Sequence, residues 1–306
     1  MSVTPYILMI RPVNFGFNAQ TAVNNEFQVP GQDAQAQQKG QEEFDAFVSM
    51  LHHNGVDVTV VNDTPEPHTP DSIFPNNWIS FHADGTVCLY PMFADNRRLE
   101  RKPHVIEKLK ERFVIQQTYD LTHYELANRF LEGTGSMVLD RDLKLAYACL
   151  SPRTDRGIVE EWCRAMDFQP IIFDAFGSTG QAIYHTNVVM CVGDRYVVIC
   201  LDAVLKAEER ELLENTIDQS GKELIPITLD QMNHFAGNML QVASIQGETL
   251  LVMSSQAYHS LAPEQVNRLR SYNRIVHAPL QTIETNGGGS ARCMMAEVFL
   301  ERLITA

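Results

Sequence analysis

Three residues whose side chains could together support nucleophilic catalysis occupy similar sequence settings. Cys293 follows a glycine-rich stretch at 286–290, where backbone N–H groups can approach a ligand and favour a thiolate. His185 begins an apolar run, and Glu132 stands directly before a Gly-Thr-Gly turn. A cysteine nucleophile needs a general acid–base and a carboxylate nearby. The sequence predicts a cysteine-dependent active site if the fold brings the three residues together.

An internal repeat predicts that these residues meet. Five segments share a polar or glycine-rich approach, a small polar residue and an apolar run typical of a strand. The residues in register are Asn77, Ser136, Asn187, Asn238 and Cys293, which lie 59, 51, 51 and 55 positions apart. After four segments the pattern predicts a turn and a second strand, then a helix and a third strand. The helices are predicted at 104–112, 156–166, 206–218 and 263–272.

The two ends of the sequence supply a fifth unit. Residues 6–12 are predicted as its second strand, 40–53 as its helix and 56–61 as its third strand, while its first strand should lie near Cys293. The run after Cys293 is also compatible with a helix. We predict an α/β fold, a five-fold pseudo-symmetric α/β propeller of ββαβ repeats that forms one domain over residues 1–306. A closed ring removes open sheet edges and brings the starts of the first strands to a central axis.

Composition excludes several classes of function. Asp and Glu number 38 against 24 Lys and Arg, a net charge of −14, which argues against nucleic-acid and anionic-membrane partners. The longest apolar runs have six residues, too short for a membrane helix. Six cysteines without a CxxC pair predict reduced thiols in a cytoplasmic protein with no metal site. No phosphate loop or dinucleotide fingerprint occurs, so we expect no cofactor. The sequence leaves a homo-oligomer open.

Five motifs, in their order and spacing, resemble those of the guanidino-group-modifying superfamily with the pentein fold. That superfamily includes arginine deiminase, dimethylarginine dimethylaminohydrolase and the amidinotransferases. The resemblance covers essentially the whole chain and rests on the motifs at 71–77, 132–135, 151–155, 185–187 and 287–293.

The resemblance implies a role for each matching residue. Cys293 would be the nucleophile, His185 the acid–base and Glu132 the carboxylate that holds substrate nitrogens. Arg153 would bind the substrate α-carboxylate, and Arg98 would lie at the mouth of the pocket. Asp71 would add negative charge to the same pocket, whose expected ligand is a small amino acid.

Two departures from the family bear on the substrate. Deiminases have an aspartate where Asn77 stands, and arginine deiminases also have one where Asn187 stands. An amide both donates and accepts hydrogen bonds, which suits a neutral ureido group better than a guanidinium cation. The sequence is therefore most similar to the subgroup linked to citrulline use. The predicted reaction hydrolyses citrulline to ornithine, ammonia and carbon dioxide through a covalent cysteine intermediate.

Other functions remain as alternatives. Asp71 and Glu132 keep negative charge in the pocket, so an arginine deiminase or a methylarginine hydrolase is the nearest one. An amidinotransferase is another. A catalytically silent binding module of the same fold is the alternative outside enzymes, although Cys293, His185 and Glu132 together argue against it. We also predict that the proline-rich loop 63–70 covers the pocket.

Overall fold

The computed structural model describes residues 3–29 and 35–303. Within them the strands are β1 (Tyr6–Arg11), β2 (Asp57–Asn62), β3 (Ile79–Phe81), β4 (Thr86–Leu89), β5 (Gln117–Asp120), β6 (Val138–Asp140), β7 (Leu145–Cys149), β8 (Gln169–Phe173), β9 (Met190–Val192), β10 (Tyr196–Ile199), β11 (Glu223–Pro226), β12 (Leu240–Ala243), β13 (Thr249–Ser254), β14 (Arg274–Ala278) and β15 (Ala296–Glu297).

Helices lie between the strands. The α-helices are α1 (Ala19–Ala22), α2 (Ala36–His53), α3 (Asp95–Arg98), α4 (Pro103–Lys110), α5 (Gly133–Ser136), α6 (Arg156–Met166), α7 (Thr186–Val189), α8 (Ala207–Gln219), α9 (Leu229–Asn233), α10 (Ser255–Ser260), α11 (Pro263–Arg270) and α12 (Gln281–Gly287). Short 3₁₀ helices span Pro75–Asn77, Thr122–Ala127 and Leu201–Ala203. No helix of the described residues is long and apolar enough to span a bilayer.

The strands form five three-stranded sheets with the same internal order. Four sheets are consecutive along the chain, β3-β4-β5, β6-β7-β8, β9-β10-β11 and β12-β13-β14, and the fifth is β15-β1-β2. In each sheet the central strand pairs antiparallel with the first strand and parallel with the third. A parallel pair needs a crossover, which a helix supplies in every unit. The predicted five-fold α/β propeller of ββαβ repeats is confirmed.

The sheet β15-β1-β2 combines both ends of the described chain. Leu8 of β1 pairs with Ala296 on one side and with Thr59 on the other. The run after Cys293 thus forms a turn and a short strand and is not a helix. A single domain over residues 1–306 stays a prediction, and its outermost residues lie outside the described ranges.

Helix α6 illustrates how local sequence fixes a crossover. The Asp155 carboxylate accepts a hydrogen bond from the Ile158 N–H and caps the N-terminus, and Asp167 ends the helix in the left-handed conformation. The helix buries a face that includes Ile158 and Trp162, packed with residues of β7 in the same core cluster. Burial of a large apolar side chain contributes about 1.5–3 kcal/mol.

The sequence predicts that the residues in register across the repeat begin the first strands. In the structure they lie before those strands, three of them in short helical turns. Asn77 lies in a 3₁₀ turn, Ser136 in α5 and Asn187 in α7, each two or three residues before its strand. The first strands are only two to four residues long because the chain turns at the axis before pairing begins. A helical turn hydrogen-bonds the backbone there and turns short polar side chains toward the centre.

Candidate active site

The turn that carries Cys293 is held by hydrogen bonds from its own loop. Helix α12 ends at Gly287, and Gly288 has a φ of 62°, a left-handed conformation that glycine adopts without strain. The Cys293 N–H donates to the Ser290 carbonyl at 3.0 Å, and the Ser290 hydroxyl donates to Glu284 Oε1 at 2.6 Å. Cys293 is consequently fixed near the axis with 3% of its surface exposed.

His185 and Glu132 form a buried hydrogen-bonded pair. His185 Nε2 lies 2.8 Å from Glu132 Oε2, and Glu132 Oε1 accepts the Phe93 N–H at 3.0 Å. A carboxylate accepts, so Nε2 of His185 carries the hydrogen. Gly135 is needed beside this pair, because a Cβ there would lie 2.7 Å from His185 Nδ1. The Gly-Thr-Gly turn thus lets the imidazole pack against backbone.

Surrounding charges determine the protonation of the pair. Burial disfavours the Glu132 carboxylate, but Arg153, His185 and Arg97 outweigh burial and hold its pKa well below the usual range. Burial lowers the pKa of His185 to about 4, although Glu132 opposes the change. Near neutral pH the pair is therefore a carboxylate and a neutral imidazole, which leaves His185 able to accept a proton.

We expect His185 to stay neutral down to about pH 5.5, a full unit below the ordinary histidine value, because protonation would place a cation in a buried site beside two arginines. The check is a pH titration of the ring carbon signals by NMR, with the His185→Gln variant used to assign the resonance. Titration of His185 near pH 6.5 would contradict the assignment of a neutral base.

A small cavity of about 10 Å³, room for about one water molecule, adjoins Cys293 and His185. Its other polar lining side chains are Thr21, Asn25, Asp71, Asn77, Arg97, Arg153 and Tyr184. The glycines Gly287, Gly288 and Gly289 form part of the wall, where a Cβ on Gly287 would lie 2.8 Å from Phe74. A thiol, an imidazole, a carboxylate and two guanidinium groups therefore share one buried space.

Asp71 and Arg97 supply opposite charges to this cavity. Asp71 Oδ2 accepts from Asn18 Nδ2 at 2.8 Å and from Thr21 Oγ1 at 3.0 Å, whereas Oδ1 has no partner among the described residues. Arg97 is 2% exposed and donates to both carboxylate oxygens of Glu100, at 2.9 and 3.0 Å. Burial raises the pKa of Asp71, and Arg97 offsets this only in part.

Residues 18–28, which we call the N-terminal cover, lie over the cavity. Thr21 and Asn25 line it, and Asn24 Oδ1 accepts from Arg153 Nε at 2.8 Å. The loop 63–70, predicted to cover the pocket, lines no part of this cavity. Lys102 Nζ holds that loop instead, at 2.5 Å from Asp63 Oδ1. A buried lysine paired with a loop carboxylate therefore anchors the loop.

The guanidinium of Arg153 is already bonded in this structure. Its NH2 donates to the Thr21 carbonyl at 2.7 Å, and NH1 lies 3.5 Å from Glu132 Oε2. The group also packs against the Tyr184 ring, 5.0 Å from its centroid. The predicted contact between Arg153 and a substrate carboxylate would have to replace bonds to the N-terminal cover.

The structure brings together most of the predicted site residues, with three differences in placement. Cys293, His185, Asp71, Asn77 and Arg153 line the cavity. Glu132 is 0% exposed, does not line the cavity and bonds to His185, so its contact with substrate nitrogens stays a prediction. Asn187 lies beneath the nucleophile, with Nδ2 3.5 Å from Cys293 Sγ.

Arg98 is the third difference, because it does not line the cavity. Its Nε donates to the Met92 carbonyl at 3.0 Å, and its NH1 lies 2.6 Å from Asp95 Oδ1. The arginine in the cavity is its neighbour, Arg97. Neighbours in a helical turn point about 100° apart, so only one of the two can face the axis. Arg97 has Glu100 at i, i+3 spacing and Arg98 has Asp95 at the same spacing, so the sequence carries no local signal for the buried member.

Among residues 3–29 and 35–303 no group of three or more histidine, cysteine, aspartate or glutamate side chains is arranged to hold a metal ion. The tight bonds within the cavity are those between amides, carboxylates and guanidinium groups. Such an arrangement could hold a small polar ligand next to a thiol.

Solved structures of similar fold come from guanidino-modifying enzymes. ArgZ, an arginine dihydrolase from the ornithine-ammonia cycle in cyanobacteria, is 17% identical with a TM-score of 0.76. The match covers 98% of this chain and 41% of the ArgZ chain. Against the substrate-bound N-terminal domain of ArgZ alone it covers 97% and 98%, with the same TM-score. This chain thus spans less than half of the full-length ArgZ.

A second solved structure and a family profile extend the comparison. Dimethylarginine dimethylaminohydrolase with an S-methyl-L-thiocitrulline adduct is 15% identical with a TM-score of 0.65, covering 96% of this chain and 99% of that one. No curated protein sequence matches. The profile described as N,N dimethylarginine dimethylhydrolase, eukaryotic, matches residues 11–300. The chain therefore belongs to the N,N dimethylarginine dimethylhydrolase family, within the pentein guanidino-modifying superfamily.

Proposed function

We propose that this protein is a cysteine-dependent hydrolase that acts on the guanidino carbon of an arginine-type amino acid. The observation that carries the proposal is the buried Asp71, whose Oδ1 is unbonded and which shares a cavity with Cys293 and His185. A guanidinium is a cation that only donates hydrogen bonds, and a free buried carboxylate oxygen is its natural partner.

The charge balance around the cavity supports a cationic ligand. Three buried carboxylates, Asp71, Glu100 and Glu132, face two guanidinium groups, Arg97 and Arg153, while His185 is neutral. Fully ionised, the set has an excess of one negative charge. Burial also raises the pKa of Glu100 to about 7. A bound arginine, with a net charge of one positive unit, would neutralise the excess, whereas citrulline would not.

The first half of the reaction follows from the positions of Cys293 and His185. The thiol proton passes to the imidazole as Sγ attacks the guanidino carbon and forms the S–C bond. The terminal C–N bond then breaks, and the amine departs with the proton from His185. A covalent thiouronium on Cys293 remains. Glu132 holds His185 in the tautomer that accepts the proton.

The second half regenerates the thiol. Water gives a proton to His185 and adds to the carbon of the thiouronium, and the C–S bond breaks. The ureido product leaves and its hydroxyl proton passes to solvent, while the proton on His185 returns to the Cys293 thiolate. Arg153 would bind the α-carboxylate of the substrate once Thr21 and Asn24 of the N-terminal cover release it, which explains why a cationic group lies at this end of the cavity.

Citrulline is the second candidate substrate, and the two amides favour it. Asn77 lines the cavity, and Asn187 Oδ1 has no hydrogen-bond partner among the described residues. Neither amide adds charge, as suits a neutral ureido group. For citrulline the same attack would occur at the ureido carbon, and hydrolysis would yield ornithine, ammonia and carbon dioxide.

A substrate panel tests the proposal. Release of ammonia or methylamine is measured with arginine, methylated arginine, citrulline and agmatine, and products are identified by mass spectrometry. We expect the highest kcat/KM with arginine or a methylated arginine. Preference for citrulline would favour the second candidate. A requirement for an added acceptor amine would identify an amidinotransferase, and no turnover at all would leave the silent binding module.

Asn77→Asp should raise the ratio of kcat/KM for arginine over citrulline by about tenfold, because it adds one negative charge to the cavity wall. Arg97 NH1 lies 2.8 Å from Asn77 Oδ1 and will neutralise part of that charge, which limits the effect. Asn273→Asp is the matched control, since Asn273 is also buried but bonds to Leu269 and Tyr196 away from the cavity. A ratio that does not differ between the two variants would show that Asn77 does not set the preferred charge.

A further inference from the structure

Cys293 has a second amide neighbour that the roles above leave unused. Asn238 Nδ2 lies 3.3 Å from Cys293 Sγ, closer than the 3.5 Å of Asn187 Nδ2. Asn238 occupies the register position of the fourth unit, equivalent to Cys293 in the fifth, so the ring itself brings the two side chains together at the axis. Asn238 is 0% exposed.

Backbone groups fix which end of the Asn238 amide faces the sulfur. Oδ1 accepts the Arg292 N–H at 3.0 Å, and Nδ2 donates to the Asn187 carbonyl at 2.9 Å. A flipped amide would set N–H against N–H and oxygen against oxygen at these two contacts, and each clash would leave a buried group unsatisfied. Nδ2 therefore stays on the side of Cys293, where its second hydrogen is directed at Sγ.

We propose that Asn238 is a catalytic residue whose Nδ2–H donates to the Cys293 thiolate and stabilises it. Donors fixed before the reaction stabilise charge without the cost of reorganisation, and a buried site strengthens them. As a thiol, Cys293 has Asn238 Oδ1 at 3.7 Å as a longer, weaker acceptor. The shorter contact belongs to the donor, so the amide favours the ionised sulfur. Asn187 Nδ2 supplies the second donor.

The proposed role of Asn238 depends on the proposed function only because it takes Cys293 as the nucleophile. The test of this role therefore needs no substrate. The rate of Cys293 alkylation by iodoacetamide is measured against pH, because the thiolate is the reacting form. Thiolate absorbance near 240 nm gives a second readout that does not depend on access of the reagent. Each variant is also made with the additional change Cys293→Ser, so that alkylation and absorbance from all other groups can be subtracted. Burial raises the pKa of the remaining cysteines to about 11 or 12.

Asn238→Ala should move the midpoint of both pH profiles upward by about one unit and lower the alkylation rate at neutral pH about tenfold, the scale of one hydrogen bond to a charged group. Asn238→Asp keeps the acceptor for the Arg292 N–H but sets a carboxylate beside the sulfur. Because the carboxylate disfavours a second negative charge, the midpoint should move further upward than in Asn238→Ala. Asn273→Ala controls for the loss of a buried amide and should leave the midpoint unchanged.

A structural role for Asn238 would produce a different pattern. The melting temperature would fall and Cys293 would become more accessible, but the midpoint would not move, and that outcome would overturn the proposal. If the Asn238 variants do not fold, a measurement on the wild-type protein still tests the proposal. The Asn238 side-chain amide signal in ¹⁵N NMR should titrate together with Cys293, and it should not titrate in Cys293→Ser. If no substrate of the panel is turned over but the pH midpoint of Cys293 alkylation shifts in Asn238→Ala, the proposed substrates are rejected and the Asn238 role stands.

Discussion

Cys293→Ala is expected to abolish turnover, with a loss of several orders of magnitude in kcat, while the protein keeps its fold. Alanine removes only the sulfur, and the backbone bond from Cys293 N–H to Ser290 is retained. The measurement is amine release from the best substrate of the panel, together with thermal unfolding of the variant. Cys191→Ala is the matched control, because Cys191 is a buried strand cysteine outside the cavity at Cys293.

The covalent intermediate allows a second test of this prediction. Wild-type protein quenched in acid during turnover should carry the mass of a thiouronium adduct on the peptide that contains Cys293, and Cys191→Ala should carry it as well. Near-normal turnover by a folded Cys293→Ala protein would rule out the mechanism. Loss of activity in the Cys191→Ala control alone would point to a packing effect.

Glu132→Gln is expected to lower kcat by at least about 10²-fold, because the amide cannot hold His185 as the carboxylate does. It should also cost about 3–5 kcal/mol of stability, since Arg153 and Arg97 would lose a buried countercharge. Stability is measured by denaturant unfolding across pH. The folded-state pKa of Glu132 is depressed, so its stabilisation is present above the usual carboxyl pKa of 4.5 and is lost as pH falls below it. The two proteins should therefore converge in acid.

A double variant separates the two effects of Glu132→Gln. Adding Arg153→Met removes the uncompensated cation, so stability should recover in part while activity stays low. Recovery of activity in the double variant would mean that Glu132 acts only as a countercharge. A stability difference that grows as pH falls would contradict the assignment of an ionised Glu132.

The repeat made much of this fold predictable, since each unit shows the same order of apolar runs, turns and amphipathic stretches. The helix predicted at 156–166 is α6 with the same bounds, and the structure shows Asp155 as its N-cap. The turns at the axis were not predicted. A four-residue helix such as α5, Gly133–Ser136, is too short to show a helical period, so the sequence pattern there predicts the beginning of a strand.

The candidate site was predictable where the repeat register governs position, as for Cys293 and His185. It was not predictable where the choice depends on contacts between distant segments. Nothing local separates Arg97 from Arg98, and only the buried Glu100 decides between them. Asn24 and Arg153 are 129 residues apart, so the N-terminal cover could not be predicted from local pattern.

The sheet β15-β1-β2 has a consequence for biosynthesis. Thr4 Oγ1 donates to the Val298 carbonyl at 2.9 Å, a contact between residues 294 positions apart. Strand β1 is synthesised before the other four units, but its partner β15 emerges after all of them. Until then Ile7 to Ile10 lie beside an unpaired strand edge, the kind of surface that other chains and chaperones bind. The thiol of Cys293 reaches the axis in the same last step, so a nascent chain gains its reactive sulfur only as the ring closes.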